Sequence, residues 1–155
     1  MEFLHLLSVV LVTLSPVVEI NGSIPLGIAL GLDPILTFII AVTTNSLLFL
    51  LVYFLLTFFY QNFLKRIKFL RRYIGRAQKK AKPYVEKYGY IGLTAFIALP
   101  SPFTGVYTGS AIAWALGMDL KKSFIAITVA VIINGLIVLG VVLGFFEFLK
   151  FLIYK

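Results

Sequence analysis

The chain is 155 residues long, 61% hydrophobic and only 13% charged, with a formal net charge of +8, one histidine and no cysteine. Soluble domains hold roughly 45–50% apolar and about 25% charged residues, so this composition describes an integral membrane protein too short to carry a separate soluble domain. Disulfides and thiolate chemistry are excluded, the lone His5 leaves no material for a histidine metal cluster or catalytic dyad, and no zinc-protease, nucleophile-elbow or phosphate-loop motif occurs; an enzyme, a cofactor or a metal centre is therefore not expected.

The N-terminus, MEFLHLLSVV, lacks the basic region of a secretory signal and is read as part of the mature protein. Residues 1–32 are apolar yet interrupted by Pro16, Gly22, Pro25 and Gly27, too long and too broken for one clean helix, and they enclose an acid, Glu19. Residues 35–60 contain no charge and at 1.5 Å per residue would reach about 39 Å, more than the roughly 30 Å hydrocarbon core. They make a complete crossing. Asp33-Pro34 opens it as an N-cap followed by proline at the first helical position, and Tyr60-Gln61-Asn62 closes it.

Between Lys65 and Lys87 lie ten Lys or Arg residues against one acid, Glu86, which holds the middle of the chain in the cytoplasm. Phe63, Ile67, Leu70, Ile74 and Ala77 fall on one helical face, with Lys65, Arg66, Lys68, Arg72, Arg76 and Lys79 mostly on others. That pattern predicts an amphipathic helix on the cytoplasmic surface, ending at Lys82-Pro83. Lys65, Arg66, Lys68, Arg71, Arg72 and Arg76 are the candidate contacts to anionic lipid, worth about 1 kcal/mol each; the bland alternative is charge that only sets topology. The apolar face and membrane context make nucleic acid an unexpected partner.

Residues 90–117 are broken in turn, by Pro100, Pro102, Gly105 and Gly109. A second charge-free segment runs from Ser123 to Phe146 across Asn134-Gly135, preceded by a capping Asp119 and by Lys121 and Lys122, which start it on the cytoplasmic side. The two long helices thus run in opposite directions. Shifting the chain on itself by 86 places Ser15-Pro16 over Ser101-Pro102, Ala29-Leu30-Gly31 over Ala115-Leu116-Gly117, Asp33 over Asp119 and Phe38-Ile39 over Phe124-Ile125, eight identities in 25 positions.

These observations predict an all-α integral membrane protein, a single membrane domain over 1–155 made of two inverted repeats, 1–60 and 88–155, joined by the basic linker helix 61–87. Each repeat is a re-entrant helical hairpin followed by a long transmembrane helix, the first hairpin opening outward and the second toward the cytoplasm, with both termini outside. The tips are placed at Pro16, Gly22 and Pro25 and at Pro100, Pro102, Gly105 and Gly109. The alternative is prolines that merely kink ordinary crossing helices. Broken segments at matching positions of inverted repeats point to a transporter's binding site near the midplane.

Glu19 is the sharpest functional candidate, since an ionisable group inside a membrane is costly and is by default a functional hypothesis; the plainer reading has it at the interface or capping backbone N–H groups. Asn45 and Asn134, near the middle of the long helices, line a polar pathway or make interhelical hydrogen bonds worth about 1 kcal/mol. Asn21, Thr104 and Tyr107 join them as candidate pathway residues, and Thr43, Thr44 and Thr108 carry the same ambiguity. Asp33 and Asp119 read as helix caps, and Trp114, Tyr53, Tyr60 and Tyr107 as interface anchors.

At these positions the sequence resembles the small multi-drug export proteins, a branch of the wider DedA (SNARE-associated, VTT) superfamily. The family run Pro-x-x-Glu-Leu-Arg-Gly-Ala-Ile-Pro is matched by Pro16, Glu19, Ile20, Asn21, Gly22, Ser23, Ile24 and Pro25, and Pro-x-Pro-x-Thr-Gly-x-aromatic-x-Gly by Pro100, Pro102, Thr104, Gly105, Tyr107 and Gly109. Asn45 in the first long helix and Lys121, Lys122 and Ser123 before the last complete the likeness, which spans nearly the whole chain. Asn21 departs from it, standing where the family usually carries arginine. The resemblance implies a multi-pass plasma-membrane transporter. Its first implied cargo is a lipid or lipid-like phosphate crossing between opposed hairpins, with Glu19 exchanging protons. Export of cationic amphiphilic drugs is the alternative, and a non-transporting scaffold the next. Membrane lipids are the implied partners, and a homodimer would complete a cavity in so small a unit.

Overall fold

The computed structural model describes residues 2–62, 87–100 and 105–153, and these form six helices with no strand among them. In chain order they are α1 (Glu2–Thr13), α2 (Glu19–Ala29), α3 (Pro34–Asn62), α4 (residues 87–98), α5 (Val106–Ala115) and α6 (Leu120–Ile153). The apolar stretches Pro34–Tyr60 of α3 and Leu120–Phe145 of α6, 27 and 26 residues, are each long enough to cross a bilayer. The predicted linker helix lies outside the described residues, as do Lys65, Arg66, Lys68, Arg71, Arg72, Arg76, Pro102 and Thr104.

Several of the residues expected at breaks lie inside helices. Gly22 and Pro25 belong to α2, Gly109 to α5, and Asn134-Gly135 to an α6 that runs on past Glu147. Only Pro16 of the first set sits in the turn, at residues 14–18, while Pro100 follows α4 and Gly105 is the residue before α5. The physical reason is packing. Pro25 lacks the N–H that would bond the Asn21 carbonyl, but α2 is held against α1, α3 and α6, and tertiary contact overrides local propensity. The glycines provide close approach: a Cβ at Gly109 would fall on the Ile97 side chain, and one at Gly135 would press on Phe38 and Ile20.

The two short-helix-to-long-helix turns are built alike, atom for atom, 86 residues apart. After α2, Leu30 N–H bonds Leu26 O (2.9 Å), Gly31 N–H bonds Ile28 O (3.0 Å) and Leu32 N–H bonds Gly27 O (3.0 Å); after α5, Leu116, Gly117 and Met118 bond Ile112, Trp114 and Ala113 at 2.9, 3.1 and 3.0 Å. Gly31 and Gly117 take the left-handed φ of 81° and 65° that ends each helix. Asp33 Oδ1 then accepts from Leu36 N–H (2.8 Å), as Asp119 Oδ1 does from Lys122 N–H (2.9 Å), so both acids are the expected N-caps.

α3 and α6 pack against each other in antiparallel fashion. Phe38 lies on Gly135 and Phe49 on Phe124 with ring centroids 6.2 Å apart, so eleven residues forward along α3 correspond to eleven backward along α6. Shifting both members by 86 exchanges the two contacts. Each short helix reaches the other half: α2 packs on α6 as well as on α3, and α5 packs mainly on α3. Ile20, Ile24, Phe49, Ile97, Val106, Ile127 and Val131 fill the core, whereas Leu47, Leu51, Phe54 and Phe58 of α3 and Ile125, Val129 and Leu136 of α6 face outward, the apolar surface that a bilayer covers. Trp114 and Tyr60, expected at the interface, pack edge-to-face at 5.1 Å, and Trp114 Nε1 donates to Thr57 Oγ1 (3.1 Å).

Substituting Asp33 or Asp119 with Ala is expected to cost about 1 kcal/mol each, and the double substitution about 2 kcal/mol because the two turns are separate. Thermal unfolding in detergent micelles checks this, with the Asn variants retaining most of the wild-type stability.

Candidate functional site

The turn after α1 is short and tight. Ser15 N–H bonds Val12 O and Glu19 N–H bonds Ser15 O, each at 3.0 Å, and the chain re-enters helix at Glu19 with φ of 44°. A left-handed conformation at a non-glycine residue costs about 1–3 kcal/mol and persists only where surrounding contacts enforce it. Here they do. The Glu19 side chain is carried away from α2 and across to the first turn of α5, where Oε2 accepts Val106 N–H at 2.8 Å and Oε1 accepts Tyr107 N–H at 3.4 Å.

The first N–H groups of any helix lack intrahelical partners, and a residue with a polar side chain ordinarily supplies one from the N-cap. The N-cap of α5 is Gly105, which has none to offer. The cap therefore comes from 87 residues earlier, and glycine is required, because a Cβ at Gly105 would fall on the Glu19 carboxylate. Under the 86-residue shift Glu19 itself aligns with Gly105. The contact is charge-assisted and lies at the positive end of the α5 dipole, both of which strengthen it. Glu19 is 5% exposed, and among the described residues no Lys or Arg pairs with it; Asn45 of α3, itself 1% exposed, presents its side chain to the same carboxylate.

Tyr107 completes a second tie in the opposite direction. Its hydroxyl donates to Leu14 O at 2.6 Å, a carbonyl left over where α1 ends. The α5 start and the residue 14–18 turn thus satisfy one another's main-chain groups, as buried polar groups require.

Of the expected pathway residues, the structure gathers Glu19, Asn45 and Tyr107. Asn134 is apart from them in function: its Nδ2 donates to Ile97 O at 3.2 Å, tying α6 to the end of α4. The Asn45 and Asn134 Oδ1 atoms are buried without a partner, as is Asn21 Oδ1. Asn21 lines a cavity of about 430 Å³ bounded by Val17, Val18, Gly22 and Pro25 on one side, Pro100, and Ile137, Val138, Val141 and Val142 of α6 on the other. The α6 wall was not legible in the sequence, where four aliphatic residues in an aliphatic helix carry no mark. The role of Leu14 was equally hidden, since a main-chain acceptor has no residue signature. Gly105 did carry a signal, its alignment with Glu19 across the repeat.

Residues 19–137 match a family model described as "Putative small multi-drug export protein". The match begins at the capping carboxylate and takes in both short helices, both turns and the antiparallel contact of α3 with α6. No curated protein and no solved structure matches the chain.

Glu19→Ala is expected to destabilise the protein by about 1–3 kcal/mol, because it strands two buried amides, and Glu19→Gln by less, because the amide oxygen still accepts while the charge is lost. Gly105→Ala should resemble Glu19→Ala. Hydrogen exchange at the Val106 and Tyr107 amides reads the cap directly: slow in the wild type, fastest in Glu19→Ala and Gly105→Ala.

Proposed function

The chain belongs to the small multi-drug export protein family, and from that membership we propose that it is a membrane exporter of small amphiphilic compounds that enter the cavity between the residue 14–18 turn and α6. The observation that carries this reading is the position of that cavity. It is walled by Val17, Val18 and Pro25 beside the strained Glu19 turn and by Val138 and Val142 of α6, so a change at the Glu19 cap displaces one wall relative to the other. The family description favours small-molecule export over the lipid cargo that the superfamily resemblance put first; kinship with the DedA superfamily is kept here as part of the proposal.

The mechanism follows from the architecture. The two halves are taken as inverted repeats, a reading supported by the matched turns, by the exchange of the Phe38–Gly135 and Phe49–Phe124 contacts under the 86-residue shift, and by the crossing of α2 onto α6 and α5 onto α3. The turns at residues 14–18 and 100–105 are taken as tips of re-entrant hairpins, which the mutual satisfaction of Glu19 with Val106 and Tyr107 and of Tyr107 with Leu14 supports. Glu19 is the proton-exchanging group. A neutral carboxyl is the weaker acceptor, so protonation loosens the cap, lets α5 and the first turn separate, and exposes the cavity to the other side. The basic segment 65–87 is placed in the cytoplasm with both chain termini outside. No covalent chemistry is part of this cycle.

Efflux of a panel of fluorescent amphiphiles from proteoliposomes tests the proposal. The wild type should exceed protein-free vesicles by at least about tenfold and vary between pH 5 and 8, while Glu19→Gln should be slow and flat with pH, the cap no longer titrating. Val141→Trp, which fills the cavity without touching the cap, should abolish efflux. Equal rates with and without protein would leave a non-transporting scaffold as the better account.

A further inference from the structure

The cavity has an uneven chemistry. Its described lining is Val, Ile, Pro and Gly except for Asn21, whose Oδ1 is buried behind the wall with no hydrogen-bond partner. No acid lines it. Glu19, two residues before Asn21, has one oxygen on the Val106 amide and the other on the Tyr107 amide, so the carboxylate that would serve as counter-ion to a cation is committed elsewhere. No lysine or arginine is among the described lining residues either.

We infer that the cavity takes an uncharged amphiphile bearing one hydroxyl, which pairs with the Asn21 carboxamide while its apolar body lies along Ile137, Val141 and Val142, and that it rejects cations of the same shape. The inference rests on the reading of this cavity as the substrate site and narrows the substrate class. A charge moved from water to aliphatic walls without an opposite charge is strongly disfavoured. A hydroxyl both donates and accepts, as a carboxamide does, and rotation of the terminal amide about its broad torsion presents either end to the ligand. The volume of about 430 Å³ falls in the range of small-molecule sites.

The absence of cysteine from the chain allows a direct test, in which Val142→Cys places a single thiol in the wall. Its labelling by a maleimide is measured for the full chain in nanodiscs with 4-butylphenol, with butylbenzene, which has the body without the hydroxyl, and with 4-butylbenzyltrimethylammonium, which has the body with a positive charge. Half-protection is expected at about a fivefold lower concentration of the phenol than of butylbenzene, the usual worth of one hydrogen bond, with no protection by the ammonium compound. Asn21→Leu should erase the fivefold gap while butylbenzene still protects, which shows that the cavity survives, and Asn21→Asp should admit the ammonium compound. Equal protection by phenol and butylbenzene, protection by the ammonium compound in the Asn21 protein, no protection by any of the three, or a gap that persists in Asn21→Leu would overturn the inference. Should Asn21→Leu not fold, the three-compound comparison in the Asn21 protein decides alone. Efflux is read separately: a fivefold gap without efflux sinks the export reading only, and efflux without the gap sinks this inference only.

Discussion

Unpaired amides at the start of a helix are tolerable in water and expensive once buried, and the centre of this protein is arranged around one such helix start. α5 begins at a glycine, and its first two N–H groups are met by Glu19 of the other half of the chain. That one contact accounts for three oddities together. It explains a carboxylate buried without a cationic partner among the described residues, a non-glycine residue with a left-handed backbone, and a glycine whose missing Cβ is the space the carboxylate occupies. Strain at Glu19 and loss of a conventional cap at Gly105 are offset by charge-assisted hydrogen bonds at the helix dipole.

The rest of the fold holds these two ends at a fixed separation. α3 and α6, long and antiparallel, contact one another through Phe38 on Gly135 and Phe49 on Phe124, and each carries the other half's short helix. Matching Schellman-type turns and matching aspartate caps launch both long helices with the same geometry. The resemblance between halves breaks down around the Glu19 contact. Glu19 aligns with Gly105, and Asn21 with Tyr107, so one half supplies the acid and the cavity amide while the other supplies the amides being capped and the hydroxyl that returns the favour to Leu14. Family membership and a cavity beside this contact are the basis for the proposal that the protein is an exporter rather than a static bundle.

Legibility differed sharply from residue to residue. Asp33 and Asp119 were readable as caps because a cap is a local device, a short acid reaching an N–H three residues on. α3 was readable to within a residue or two at each end because an uninterrupted apolar run opened by Asp-Pro has few alternatives. Gly22, Pro25, Gly109 and Asn134-Gly135 misled for a common reason. They signal a break only when no neighbouring helix demands their absent side chain or holds the helix together, and Ile97, Phe38 and Ile20 press on Gly109 and Gly135 in just that way.

By itself the sequence determined the membrane character of the protein, the extent of its first long helix, the caps and opposite directions of both long helices, and the 86-residue offset between halves, because each of these is written in composition or in spacings of a few residues. Tertiary structure alone decided that Glu19 would cap α5 rather than its own helix, that Tyr107 would reach Leu14, and that Asn21 would face a cavity walled by α6. Those outcomes depend on which surfaces meet across nearly ninety residues of chain, and in a sequence where almost every position is aliphatic or aromatic, hydrophobicity says that helices pack without saying against what.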